Sequence, residues 1–194
     1  MTTTKLNFTL DPVDWIAWLD TLELADATPE QIAVLAESTP TAKTSPYYLL
    51  LVQDVAVLRE RSRLFNAVMY APKGLARADR ELVSVAVSRV NGCVYCAAIH
   101  GQRYTQLTKH PEVIQRIFDE GVETALEPRA RAIVDYTVKL TLTPNLVSSA
   151  DLTPLRSIGL NDLEILDLTH VAAMFAWANR LLQTLGEPVR KTAE

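Results

Sequence analysis

One grammar runs through most of this chain: apolar residues recur every three or four positions, opened by a capping residue or proline and often closed by glycine. Thr28-Pro29-Glu30-Gln31 sets a hydroxyl at the N-cap, proline at the first helical position and glutamine three residues after the hydroxyl, just before IAVLAE. A segment that satisfies its own first backbone N–H groups starts a helix there, over about Pro29 to Glu37. Ser45-Pro46 repeats the start, and Leu51, Val55, Leu58, Phe65 and Met69 trace one stripe that breaks near Pro72-Lys73-Gly74. That stripe predicts a single long helix of roughly 20 residues or more. From Ala78 to Val90 the signals conflict, because Val83, Val85 and Val87 alternate as a strand would. Length and the acidic start, Asp79 and Glu81, favour a helix.

Further on, Pro111 and Gly121 bound EVIQRIFDE, and Pro128 opens RARAIVDYTVKL with Pro144 just beyond its end. Ser149 to Ser157 reads as a short helix ending at Gly159. Asn161-Asp162-Leu163-Glu164 is a second capping box, opening a helix to about Leu185 with Gly186 behind it. The fold class is therefore all-α, and a hydrophobic content of 48% can supply its core without staples. Residues 1–44, with Trp15 and Trp18 on an amphipathic turn, form an N-terminal arm or short helical extension that packs as a lid on the core or on a neighbouring subunit. Residues 45–187 form the helical domain, and 188–194 a frayed tail.

Charge excludes two classes of partner. A formal net charge of -4 and a pI near 5.4 leave no basic footprint, so neither nucleic acid nor a membrane is expected as partner. The N-terminus lacks a basic region followed by an apolar run, and no later segment is apolar for about 18 residues, so a soluble, cytoplasmic chain is expected.

Both cysteines and one of three histidines fall inside NGCVYCAAIHG, Asn91 to Gly101. Asn91-Gly92 suit the end of one helix and a turn into the next, so Cys93 belongs to a new first turn, where unpaired N–H groups lower a thiol's pKa. At about 100° per residue Cys93, Cys96 and His100 share an arc of roughly 60°. Three uses fit that arc. Two buried thiols can sit beside a satisfied histidine. Zinc can take C-x2-C-x3-H, with Glu81, His170 or water as the fourth ligand. A dithiol can cycle through a disulfide, with His100 moving protons and Glu81 on the preceding helix orienting it.

Glu81, Ser88, Asn91, Cys93, Tyr95, Cys96 and His100 together spell E-x6-S-x2-N-x-C-x-Y-C-x3-H. This pattern resembles the AhpD-like (alkylhydroperoxidase D) family of the carboxymuconolactone decarboxylase superfamily, in particular its peroxidase-related subgroup. The resemblance implies an all-α AhpD-like bundle that assembles as homo-oligomers and reduces organic or hydrogen peroxides without a cofactor, re-reduced by a thiol or dithiol partner. It further implies that Cys96 is the peroxidatic thiolate that becomes a sulfenic acid. Cys93 would donate a proton and then resolve it as a disulfide, and His100 with Glu81 would form the proton relay. In the best-understood members a histidine precedes the second cysteine; here Tyr95 stands there, which shortens the relay. Lactone decarboxylases of the superfamily lack the cysteine pair, so both thiols argue against that chemistry. The alternatives are a zinc-binding structural module or a non-redox small-molecule enzyme.

A weak internal echo aligns DRELVSVAVSRVNGCVYCAA with NDLEILDLTHVAAMFAWANR, setting Ala176 and Asn179 where the first copy has Cys93 and Cys96. Such a repeat is structural and chemically silent. Asn179-Arg180 is expected to face a neighbour's active site or cap an interface. His110, before Pro111, belongs to an exposed turn, and His170 to the interior of the last helix as a structural residue.

Overall fold

A computed structural model describes residues 7–191. Strand β1 (Val13–Ala17) precedes helices α1 (Pro29–Ser38), α2 (Pro46–Leu51), α3 (Val55–Tyr70), α4 (Arg77–Asn91), α5 (Val94–Thr108), α6 (Pro111–Glu120), α7 (Pro128–Leu142), α8 (Thr153–Ser157) and α9 (Asp162–Thr184), and strand β2 (Gly186–Arg190) closes the order. Both capping boxes form, Thr28 with Gln31 and Asn161 with Glu164. The fold is the expected all-α one, with a single small β pair among the described residues.

α4 is the hub, with α5, α7 and α9 packed around it. Every residue from Arg80 to Ser88 is buried. A helix covered on all sides needs apolar residues on all faces and loses its one-sided period, which is why its valines imitate a strand. Arg80 is tolerated there because its guanidinium donates to the Met69, Ala71 and Lys73 carbonyls and to Asp167.

Three expectations are corrected. The long helix from Ser45 is two helices, because the Asp54 side chain accepts from the Val57 N–H and restarts the helix as its N-cap. Ser149 to Ser157 divides likewise into a 3-10 turn over Ser149–Leu152 and α8. The third correction joins the arm to the tail. Val13 and Trp15 are buried while Asp14 and Ile16 are exposed, a period of two that makes a strand rather than an amphipathic turn. Its antiparallel partner is Gly186–Arg190, with Trp15 opposite Pro188, so the segment expected to fray from 188 is paired as far as Arg190. Pro188 is admissible because both strands of a two-stranded sheet are edges. At Gly186 a Cβ would run into the Trp15 ring, whose Nε1 donates to the Leu182 carbonyl at 2.9 Å. Residues 1–6 of the arm and 192–194 of the tail lie outside the described residues.

Trp15, Tyr47, Leu50, Cys93, Cys96 and Leu182 form an apolar cluster separate from the main core on α4, α7 and α9. No described helix is long and apolar enough to cross a membrane.

Candidate active site

The turn into the cysteine motif is set by Gly92, which ends α4 at φ 77°, a left-handed conformation open to glycine at no steric cost. The Cys93 N–H then bonds the Ser88 carbonyl at 2.8 Å, and Cys93 becomes the N-cap of α5 rather than part of its first turn. Cys96 and His100 follow on that helix, one turn apart. Both cysteines are buried free thiols.

The other end of the chain holds this turn in place. Asn179 on α9, fully buried, donates through Nδ2 to Ser88 Oγ at 3.0 Å and accepts from Asn91 Nδ2 at 3.1 Å. Gln183, one turn later, donates to the Asn91 carbonyl at 2.8 Å. Asn179 also lowers the pKa of both thiols. Asn179 is therefore buried within its own chain rather than turned to a neighbour, in the structural role expected of the echo, and Ser88 and Asn91 in the motif are the groups that fasten it.

α4 folds back against α5, the condition on which the expected Glu81–His100 contact depended, and the two side chains meet. Both are buried, and His100 Nδ1 lies 2.5 Å from Glu81 Oε2. Arg77, one turn before Glu81, donates from Nε to the other carboxylate oxygen at 2.8 Å, with Nη2 on the same oxygen. Burial opposes the Glu81 anion, but His100 and then Arg77 outweigh it and hold the carboxyl below the usual carboxylate range. Burial likewise pushes the His100 imidazole below its ordinary value, and Glu81 pulls the other way without prevailing. Near neutral pH the ring is uncharged. An ionised carboxylate can only accept, so Nδ1 carries the proton and Nε2 the basic lone pair. The Phe175 ring abuts the imidazole edge-on, with centroids 4.5 Å apart.

The two thiols are unequal. A hydrogen bond from Cys96, with the Cys96 backbone N–H at the start of α5, holds the Cys93 thiol below its usual value although burial opposes this. Burial pushes the Cys96 thiol well up, and its bond to Cys93 adds to that.

A cavity of about 1220 Å³ reaches Cys96 and His100 from the surface, walled by α1, α2, α3, α5, α9 and β1. Cys93 does not line it. Tyr95 does, and burial pushes its phenol up to about 12, so it stays protonated near neutral pH. Arg61, Tyr47, Tyr48 and Phe65 complete the inner wall and were not singled out from sequence. His110 is exposed, as expected, and pairs with Glu112 at 2.8 Å. His170 lies within α9, as expected, on its exposed face and away from the cavity. Among the described residues no group of three or more His, Cys, Asp or Glu side chains is arranged to hold a metal ion.

Comparisons with known proteins agree with this architecture. Residues 56–139 match the profile of the carboxymuconolactone decarboxylase family. A crystal structure of an alkylhydroperoxidase AhpD core, an uncharacterized peroxidase-related protein from Ralstonia eutropha, is 26% identical with a TM-score of 0.76, over 88% of this chain and 90% of that one. A peroxidase-related protein from a Silicibacter species is 25% identical with a TM-score of 0.69, over 85% and 88%. The debrominase Bmp8 shares the fold at 15% identity and a TM-score of 0.68, over 84% and 87%. No curated protein matches. Together these findings support the AhpD-like assignment within the carboxymuconolactone decarboxylase superfamily.

Proposed function

Starting from that AhpD-like assignment, we propose that this chain is a thiol peroxidase that reduces organic or hydrogen peroxides through a Cys93–Cys96 dithiol/disulfide cycle. The observation that carries the reading is a thiol, Cys96, lining a solvent-connected cavity beside a neutral histidine whose Nδ1–H is tied to a buried carboxylate. The raised pKa keeps Cys96 protonated until His100 Nε2 takes the proton, and the imidazolium so formed is stabilised by Glu81. The Cys96 thiolate attacks the peroxide O–O bond, leaving Cys96 as a sulfenic acid, and His100 returns its proton to the departing alkoxide. Cys93, the readier of the two to ionise, then attacks the sulfenic sulfur, expels hydroxide and closes the disulfide. Two thiols and one hydroperoxide give a disulfide, an alcohol and water; a thiol or dithiol reductant restores the pair. A cytoplasmic setting keeps the pair reduced between turnovers. The expected homo-oligomer would cover exposed Leu163, Leu166 and Trp177 on α9.

A thiol count before and after alkyl hydroperoxide tests the cycle. Wild type is expected to lose both thiols, Cys96→Ser to consume no peroxide, and Cys93→Ser to stop at a sulfenic acid. Unchanged peroxide consumption in both variants would sink the proposal. The debrominase among the neighbours indicates that the fold carries other chemistry, but at 15% identity its likeness speaks for the fold alone.

A further inference from the structure

Within the cavity wall one buried charge has no counter-charge. Arg61, on α3, is 8% exposed, and its guanidinium remains cationic at any working pH. Among the described residues no carboxylate pairs with it. Nη1 donates to the Tyr48 hydroxyl at 3.1 Å, and the guanidinium carbon lies 5.5, 5.1 and 5.2 Å from the ring centroids of Tyr47, Tyr48 and Phe65. Ring faces attract a cation but accept none of its edge N–H bonds well. Arg61 Nε and the Tyr47 hydroxyl are each buried without a hydrogen-bond partner. A buried donor left unmade is costly, and two in one cluster, both lining the cavity with Cys96, mark a place kept for a ligand.

We propose that Arg61, with the Tyr47 and Tyr48 hydroxyls, binds the carboxylate of the substrate, so that the peroxide reduced is an organic acid hydroperoxide with an apolar body. A carboxylate takes the in-plane edge of a guanidinium that aromatic rings cover on its faces, and phenol hydroxyls fill its remaining lone pairs. Phe65, Phe175, Ile99 and Leu182 offer the body an apolar wall. The cavity volume of about 1220 Å³ far exceeds the roughly 30 Å³ share of a water-sized molecule such as hydrogen peroxide requires. The reacting end of this ligand rests on the peroxidase reading, whereas carboxylate recognition does not.

Calorimetric titration of the reduced full chain with decanoate and with decanol separates the two. Decanoate is expected to bind tighter by roughly ten- to a hundredfold, the range for hydrogen bonds to a charged group. In Arg61→Gln that preference should vanish. Tyr47→Phe, which removes only the unpartnered hydroxyl, should weaken decanoate by about three- to tenfold while leaving the helical circular dichroism intact. Equal affinity for decanoate and decanol in wild type, or wild-type decanoate binding by both folded variants, overturns the proposal. Turnover of linoleic acid hydroperoxide against its methyl ester is the second arm. Arg61-dependent decanoate binding with neither hydroperoxide consumed keeps the subsite and removes the peroxidase. Equal turnover of both with no decanoate preference does the reverse.

Discussion

Two clusters of charge face one cavity, and they are built on opposite plans. Around His100, the Glu81 carboxylate takes hydrogen bonds from both His100 and Arg77, so a fully buried anion is paired on both oxygens. Around Arg61, an almost equally buried cation has one phenol and three ring faces. Phe65 and Phe175 lie between them, 6.0 Å apart at their centroids, one against Arg61 and the other against His100. A closed network fixes geometry and lends itself to moving a proton among its own members, while an open one waits for a group from outside. The difference teaches which side of the chamber belongs to the protein's chemistry and which to its ligand.

Stability is where the contrast should be largest. Removing a partner from a buried ion pair leaves an uncompensated charge, so Glu81→Ala is expected to cost about 3–5 kcal/mol in urea unfolding. Arg61→Met, which deletes a charge that lacks a counter-charge, should cost far less or raise Tm; equal losses in the two variants would erase the distinction. Next comes rate. Glu81→Gln keeps the shape but withdraws the anion that steadies an imidazolium, and peroxide-driven thiol loss near neutral pH should slow by about a hundredfold, within the usual range for general acid–base catalysis. Restoration of the rate on lowering the pH would contradict that role.

A smaller effect concerns acid stability. Both Glu81 and His100 have depressed pKa values in the folded chain. Each therefore contributes stability above its unfolded value that is lost as pH falls toward the folded one: below about 6.5 for His100, then below about 4.3 for Glu81. Unfolding free energy should drop through the first window by at most about 1.4 kcal/mol per pH unit for that one proton, and His100→Gln should flatten it. Smallest of all, Tyr95→Phe is expected to alter stability by about 0.5 kcal/mol or less and to leave the pH–rate profile unmoved. A shifted profile would return the phenol to the relay.

The closed cluster was legible in the sequence and the open one was not. Glu81 and His100 belong to one helix–turn–helix, where helical phase and the Asn91-Gly92 turn bring them together. Arg61, Tyr47 and Tyr48 come from α2 and α3; Arg61, three residues after Leu58 and four before Phe65, is on the flank of the stripe, but a long cationic side chain there can as well reach for solvent, and only the packing of α2 on α3 turns it inward. Asn179 was visible as an echo of Cys96, but its meaning depends on α9 packing against α4, which no local pattern encodes. Most helix ends followed from their caps. The exception at Asp54 is instructive, since an aspartate on the polar face of a helix and one that restarts a helix look alike until tertiary packing decides. Strand β2 escaped notice for a related reason: five residues with a proline in them carry too little signal, and their partner lies at the other end of the chain.

That pairing has a topological result. Through the β1–β2 ladder the backbone from Val13 to Arg190 is stitched into a ring, and the bond from Trp15 to the Leu182 carbonyl spans 167 positions of sequence. The stitching runs along the chamber itself, since Val13, Asp14 and Trp15 are among its walls. The thiols thus sit beside the seam of the ring, at the join that costs the longest loop to close. Trp15, carried on that seam, packs in one apolar cluster with both cysteines, so the two ends of the chain meet where the dithiol is buried.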